Sequence, residues 1–288
     1  MTVAVTAASG KLGRLVVEAL LAAGERPVAI VRDPRKVADL AARGADVRQA
    51  SYDDPAALDA ALAGVDRVLL ISGNEFGARI TQHTNVIRAA ERAGVALLAY
   101  TSIPRADSNA MVLAAEHRGT EEVLASASVP TVLLRNSWYW ENYGGAVAHA
   151  AQSGVLHGAM AGGRVSGAAR ADYAEAAARV LTGEGHEGRV YELGGDAALT
   201  GADLAAAVAE AAGAEVRYAD LAQDDYAAAL RAAGLDDQSA AVLADADARI
   251  GEGLLEVNSG DLGKILGRPT TPAATVFAQF LPEASLQA

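Results

Sequence analysis

The chain has 288 residues, 51% of them hydrophobic and 21% charged, a composition that folds rather than one that stays disordered. Its formal net charge of −12 argues against nucleic acid or an anionic membrane as partner, since both need a basic face. Cysteine is absent, which excludes disulfides, thiolate metal sites and cysteine nucleophiles, and no membrane span or export signal is expected, so the expected location is the cytoplasm.

In chain order, TVAVT (2–6), PVAIV (27–31), ADVRQ (45–49), RVLLIS (67–72), ALLAYTS (96–102) and TVLLR (131–135) read as strands. The segments 12–24, 34–44, 54–64, 78–94 and 113–127 place apolar residues three and four apart, and several end in glycine, a favoured helix stop. Asp53-Asp54-Pro55 offers a carboxylate cap and a proline for a first helical turn. Strand–helix alternation of this kind requires crossover connections, hence an α/β fold with a doubly wound, parallel, Rossmann-type sheet.

Beyond Arg135 the pattern loosens. NSWYWENY (136–143) is the densest aromatic stretch in a chain that is 5% aromatic. Glycines punctuate 154–169, a helix is expected over 170–183 and a strand over 188–195. Another helix opens at Thr200 and Asp203, and Ala-rich helices follow.

The segment Thr6-Ala7-Ala8-Ser9-Gly10-Lys11-Leu12-Gly13 joins the first strand to the first helix. A helix N-terminus offers unpaired N–H groups and partial positive charge, which suit a pyrophosphate. Gly10 would let phosphate approach the backbone and Gly13 would let the helix lie close to the strand. Ala7 stands where the tight turn usually takes glycine, and it is expected to serve with a negative φ. Arg32 follows the second strand; an acidic residue there would hold the ribose of NAD, whereas arginine suits the extra phosphate of NADP. NADPH is therefore the expected cofactor, with Asp33 keeping NADH open. A ligand-free turn and a solvated arginine are the plainer readings of the same residues. These patterns divide the chain into a dinucleotide-binding domain over 1–153 and a smaller, mainly helical substrate-covering domain over 154–288, partly interleaved with the sheet.

With these residues in view, the chain resembles the atypical short-chain dehydrogenase superfamily in its NmrA-like branch, above all the type 2 NAD(P)H:quinone oxidoreductases. The stretches that carry the resemblance are TAASGKLG, AIVRDPRK, LLISGNEFGARITQHTNVI, AYTSI, LLRNSWYWENY, RADYAEAAARVL, GHEGRVYELGGD and LGKILGRPTTP, spread over residues 6–272. Ala7 departs from that family's first loop glycine, and Trp140 stands where small residues are more usual. The resemblance implies that Thr6 to Leu12 surround the pyrophosphate and Arg32 meets the adenosine phosphate. It places Ser72, Gly73 and Asn74 along the nicotinamide ribose. It also places Asn136, Ser137, Trp138, Tyr139, Trp140, Glu141 and Asn142 around the nicotinamide and the neighbouring substrate space.

Carbonyl-reducing members of that superfamily pair a tyrosine with a lysine four residues later. The lysines here are Lys11, Lys36 and Lys264, and none has a tyrosine four positions earlier. His117 and Glu121 take the corresponding places after Ser102. An unactivated ketone needs a proton at its developing alkoxide, whereas a quinone becomes an aromatic oxyanion and accepts hydride more readily. The expected function is thus flavin-free hydride transfer from NAD(P)H to a quinone or small aromatic substrate. His117, Tyr139 and Ser102 are the candidate catalytic groups, and His117 has the plainer reading of a helix-surface or capping side chain. Trp138, Tyr139, Trp140 and Tyr143 are expected to stack on a flat ring. No metal is expected, because His149, His157 and His186 lack ligand spacing. Two alternatives share the residues: a tailoring reductase or oxygenase acting on polycyclic aromatic ketones or hydroquinones, and an NADP-binding redox-sensing regulator without catalysis. A homodimer is compatible with each.

Overall fold

Parallel strands dictate the architecture. The computed structural model describes residues 1–281 and runs β1 (Val3–Val5), α1 (Lys11–Ala22), β2 (Val28–Val31), α2 (Ala38–Ala42), β3 (Asp46–Gln49), α3 (Pro55–Leu62), β4 (Arg67–Leu70), α4 (Arg79–Ala93), β5 (Leu97–Ser102), α5 (Val112–Ala125) and β6 (Thr131–Asn136). It continues with α6 (Gly144–Ser153), β7 (Val155–Gly158), α7 (Arg170–Thr182), β8 (Val190–Leu193), α8 (Gly201–Ala212), β9 (Arg217–Asp220), α9 (Gln223–Ala232), α10 (Asp237–Gly251), α11 (Asp261–Leu266) and α12 (Ala273–Phe277). Two compact units result, one of Met1–Asp107, Glu116–Asn136 and Arg170–Glu192, the other of Ser108–Ala115, Ser137–Ala169 and the remainder from Leu193. These units alternate along the chain, where the sequence pattern places one break after residue 153; positions 282–288 of the expected second domain lie outside the described residues.

The first unit carries a seven-stranded sheet in the order β3-β2-β1-β4-β5-β6-β8. Its ladders from β3 to β6 are parallel, and β8 joins β6 through hydrogen bonds from Leu133 N–H to the Arg189 carbonyl and from Gly188 N–H to the Thr131 carbonyl. Strands β1, β2 and β5 are buried along their whole length, as expected of a parallel sheet covered on both faces. Helix α1 packs against α7, and α3 against α4. Leu58, Leu62, Val86, Ile87 and Ala90 bury their side chains with Ile30, Val68, Leu70 and Leu98 of the sheet. Strand order reverses between β1 and β4, which makes the edge beyond their carboxyl ends the natural ligand crevice of such a sheet.

Local signals behave as their chemistry requires. Asp54 caps α3 by accepting the Ala57 N–H at 3.0 Å, and Pro55 opens the helix. Thr200 and Asp203 form a reciprocal capping box at α8. The segment expected as one helix over 34–44 is instead a 3₁₀ turn, Pro34–Val37, followed by the short α2, because Val37 leaves the helical region with ψ at 25°. Strand β9 interrupts the expected run of Ala-rich helices and pairs in parallel with β7. Four residues with two exposed ends give no periodic signature in a sequence.

Ala7 corrects the expectation for the loop. Its φ is +47°, left-handed and not negative, so an alanine carries the conformation that a glycine usually does. The Gly10 N–H closes the turn on the Ala7 carbonyl at 2.8 Å, and Ala8 N–H donates to the Ile30 carbonyl at 3.1 Å. Gly13 makes the turn possible, because a Cβ there would lie 2.4 Å from the Ala7 carbonyl oxygen.

In the second unit, Trp140, Tyr143 and Phe277 pack edge-to-face and tilted, with ring centroids 6.3–6.4 Å apart. Among the described residues no helix is long and apolar enough to cross a membrane.

Replacing Ala7 with glycine should relieve roughly 1–2 kcal/mol of left-handed strain, offset by roughly 0.4–1 kcal/mol of unfolded-chain entropy. Thermal denaturation should therefore show a small rise in Tm for Ala7→Gly and a clear drop for Gly13→Ala, whose methyl meets backbone.

Candidate functional site

The candidate site begins where β1 ends. Thr6 is buried, and its hydroxyl donates to the Leu69 carbonyl at 3.1 Å, accepts the Ile71 N–H at 3.0 Å and lies 2.5 Å from the Tyr52 hydroxyl. It therefore ties β1 to β4 from within and has only its backbone to offer a ligand. Ala8 is also buried, whereas Ser9, Gly10 and Lys11 are exposed. Helix α1 has Gly10 at its N-cap, no side-chain cap and no acidic residue in its first turn. Among the described residues its leading N–H groups thus have no side-chain cap, with the positive end of the helix dipole behind them. That donor set fits an anionic diphosphate.

Arg32 follows β2 with its side chain 72% exposed, and its guanidinium pairs with Glu75 at 3.0 Å. Asp33 is otherwise engaged: it caps the following 3₁₀ turn by accepting the Arg35 N–H at 3.1 Å and meets the Arg35 guanidinium at 2.9 and 3.0 Å. Those contacts hold the Asp33 carboxyl below the usual carboxylate range. Arginine, not the neighbouring acid, is thus the group presented beyond β2.

Ser72, Gly73 and Asn74 follow β4. Ser72 N–H donates to the Thr101 hydroxyl at 2.9 Å, and Gly73 N–H donates to Nε2 of His83 at 3.0 Å. Because Nε2 accepts, the proton sits on Nδ1, which faces the Thr120 hydroxyl at 2.9 Å. Burial, and secondarily the Arg79 charge, push His83 down to about 3, so the ring stays neutral and keeps this tautomer. Gln82 donates to Glu75 at 2.8 Å and to Asp53 at 3.1 Å, and Asn85 donates to the Tyr52 carbonyl at 2.9 Å. One face of α4 therefore secures the loops after β3 and β4. Arg79 is buried beside Glu116 at 3.6 Å, an ion pair the sequence did not reveal. Asn136 ends β6, buried. Within the first unit, then, the expected segments after β1, β2, β4 and β6 stand at the carboxyl edge of one parallel sheet.

The catalytic candidates sit in fixed networks. Nδ1 of His117 lies 2.8 Å from the Tyr100 hydroxyl, and burial holds the ring far below its ordinary pKa. It has no imidazolium proton to give at neutral pH. Ser102 donates to Glu121 at 2.6 Å, and Glu121 is clamped by Arg135 at 2.6 and 3.0 Å. Arg135 also donates to Glu192 at 2.9 Å. The places of the missing Tyr-Lys relay thus hold a neutral histidine and an ion-paired carboxylate. Tyr139 is half-buried and bridges to Ala168.

In the second unit a cavity of about 630 Å³ opens beside the aromatic stretch. Trp138, Asn142 and Tyr143 form part of its wall, facing Tyr226 and Leu230 of α9 and Leu243 and Asp247 of α10. Tyr139 and Trp140 are not in that wall. Trp140 packs on Gly167, where a Cβ would meet its ring at 2.4 Å, so it belongs to the core rather than to the pocket surface. Ser137 is likewise buried, its hydroxyl donating to the Leu255 carbonyl at 3.1 Å, and Glu141 is half-buried in the 3₁₀ turn Trp140–Tyr143. Asp247 and Tyr226 were not singled out from sequence. A signal existed, since Ala240, Ala244, Asp247 and Ile250 form one helical stripe and all are buried. Among the described residues no group of three or more histidine, aspartate or glutamate side chains could hold a metal ion.

Neutral buried histidines make the first unit acid-sensitive. Each ring's folded pKa lies below its unfolded value near 6.5, so its contribution is present above pH 6.5 and is lost as pH falls below that value, for His83 down to about 3. Urea denaturation between pH 7 and 5 should show stability falling by up to about 1.4 kcal/mol per pH unit for each ring, with a shallower slope for His83→Gln.

The NmrA-like family profile matches residues 1–254. The chain is 48% identical to quinone oxidoreductase 2 of Escherichia coli (strain K12) over 274 residues, covering 94% of this chain and 96% of that protein. The crystal structure of the NADPH-dependent quinone oxidoreductase of E. coli in complex with NADPH superposes with a TM-score of 0.92 at 47% identity, covering 96% of this chain and 99% of the other. The triphenylmethane reductase of Citrobacter sp. complexed with NADP(H) also reaches 0.92, at 34% identity, covering 97% and 100%. An uncapped helix N-terminus after β1, an arginine after β2, the 3-2-1-4-5-6 strand order and a family match over most of its length place this chain in the NmrA-like family.

Proposed function

We propose that this protein is a cytoplasmic NADPH-dependent oxidoreductase that transfers hydride to a quinone without a flavin. Near-half identity to an E. coli quinone oxidoreductase over 94% of the chain carries the reading. The donor set supports it. The first turn of α1 would hold the pyrophosphate through backbone N–H groups, and Arg32 would exchange Glu75 for the adenosine phosphate. Gly73, held by neutral His83, would keep the loop after β4 in one conformation beside the nicotinamide ribose. When bound, NADPH supplies the hydride.

The acceptor class follows from what the chain lacks. With His117 neutral and Glu121 locked to Arg135, neither relay position delivers a proton to an alkoxide as a Tyr-Lys pair would. A quinone suits such a site, because its reduced oxyanion is stabilised by the aromatic ring it creates. Trp138 and Tyr143 belong to the wall of the second unit's cavity.

Absorbance-monitored NADPH oxidation by the purified protein, with benzoquinone and no added flavin, should proceed only when quinone is present, and quinol should be recovered. Tight NADPH binding without turnover on any quinone would overturn the assignment. Arg32→Ala should raise the Kd for NADPH roughly tenfold, the worth of about one charged hydrogen bond, and leave NADH binding nearly unchanged. Equal changes for both would remove Arg32 from the phosphate site.

A further inference from the structure

Arg32 meets its carboxylate partner across the end of a third strand. In the sheet order β2-β1-β4, β1 stands between the two strands that Arg32 and Glu75 follow. Neighbouring strands lie about 4.8 Å apart, so β2 and β4 are separated by roughly 10 Å. The two side chains therefore meet over the carboxyl end of β1, where the turn at Ala7 begins. Nη1 of Arg32 donates to Oε1 of Glu75 at 3.0 Å, and among the described residues the guanidinium makes no other hydrogen bond. Nε and Nη2 are thus left for an anion, on a side chain that is 72% exposed.

The carboxylate, unlike the arginine, is anchored. Oε2 of Glu75 accepts from Nε2 of Gln82 at 2.8 Å, and Gln82 is buried. The same amide donates to Asp53 at 3.1 Å, so its two hydrogens hold two carboxylates side by side. The main chain around Glu75 is pinned on both flanks. Gly73 N–H donates to His83 at 3.0 Å, and Gly77 N–H donates to Oε1 of Glu116 at 2.8 Å. Ala78 N–H closes on the Glu75 carbonyl at 3.2 Å. An anion arriving at Arg32 therefore meets Glu75, and Asp53 behind it, on a segment that is held in place.

As a contact within the fold the pair counts for little, because exposed ion pairs are screened by water and salt. Its effect falls on whatever else Arg32 binds. A phosphate monoester carries roughly −1.5 to −2 charges at neutral pH, and two anions on one guanidinium share its charge while repelling each other.

We propose that Glu75 is a specificity-determining residue of the cofactor site, an internal anion that competes with the adenosine phosphate for Arg32 and so weakens the phosphate-bearing cofactor alone. The inference rests on the assignment of Arg32 to that phosphate. One ion pair then contains both the group that holds the phosphate and the group that limits how tightly it is held. An oxidoreductase must release its oxidised cofactor in every turnover, and that release often sets the rate. A competing carboxylate at the phosphate end shortens the residence of the cofactor without touching the nicotinamide end.

The test titrates two adenine nucleotides calorimetrically into wild type, Glu75→Gln and Arg32→Ala. One is 2′,5′-ADP, which carries the phosphate of NADPH; the other is 5′-ADP, which lacks it. Neither is redox-active, so binding is read apart from turnover. Glutamine matches glutamate in size and removes only the charge. Glu75→Gln should bind 2′,5′-ADP about 3- to 10-fold more tightly than wild type at low salt, with 5′-ADP affinity and Tm unchanged. The gain should shrink toward unity at about 0.5 M salt, where screening removes the repulsion; a purely structural change would not respond in this way. Dissociation of NADP⁺, followed by stopped flow, should slow by a similar factor. Unchanged or weaker 2′,5′-ADP binding by Glu75→Gln would overturn the proposal, and so would an equal gain for both nucleotides, which would make Glu75 a bar to any adenine nucleotide. Either result leaves the phosphate role of Arg32 intact, provided that Arg32→Ala loses the preference for 2′,5′-ADP. If Arg32→Ala keeps that preference, both readings fall. Should Glu75→Gln fail to fold, Glu75→Asp, which withdraws the charge by one methylene, decides by the same comparison.

Discussion

A single backbone hydrogen bond, from Gly10 N–H to the Ala7 carbonyl, closes the turn that converts β1 into α1. Its cost is visible, because an L-residue holds a left-handed φ to make it. Its consequence is positional. The Ala7 carbonyl packs directly against the site of the missing Gly13 side chain, so α1 lies against the loop and starts at the crevice between β1 and β4. The helix N-terminus then starts at that edge without a side-chain cap. Thr6 supports the arrangement from beneath by bonding to β4 on both sides of its hydroxyl. Strain at one residue is thereby held by packing and hydrogen bonds at several others.

Desolvation sets the chemistry on both units. In the first it keeps His83 and His117 neutral, which turns two histidines into positioning groups. His83 in particular acts as an acceptor for a loop N–H, a role an imidazolium could not fill. In the second it does the reverse for an acid, holding the proton on Asp247 in a wall that is otherwise aromatic and aliphatic. The same physical cost, removal of charge from water, disfavours the imidazolium at one place and the carboxylate at another.

Much of the site was legible because its elements follow strand ends, and strand ends are marked by short apolar runs and glycine. Arg32, Ser72 to Asn74 and Asn136 were expected at strand ends, and they stand after β2, after β4 and at the end of β6. The aromatic stretch was located as well, though not its division of labour: Trp138 and Tyr143 reach the cavity, while Trp140 fills the core against Gly167 and Phe277. Adjacent residues in an irregular segment point in different directions, and no period tells which. Asp247 escaped notice because an aspartate among alanines reads as a solvated helix face until its burial is known.

The sequence by itself determined the parallel α/β fold, the glycine-containing turn after the first strand, the position of an arginine after the second and the absence of a Tyr-Lys relay. These depend on residue identity and spacing over short range, where sterics and hydrogen-bond valence leave few choices. Only the tertiary structure decided the sign of the Ala7 φ, the engagement of Asp33 with Arg35, the neutrality of His117 and the place of Asp247 in a cavity wall. Each of these depends on what neighbours remove from water or bring within hydrogen-bond reach, and those neighbours lie up to 88 residues away along the chain, as Ala159 does from Asp247.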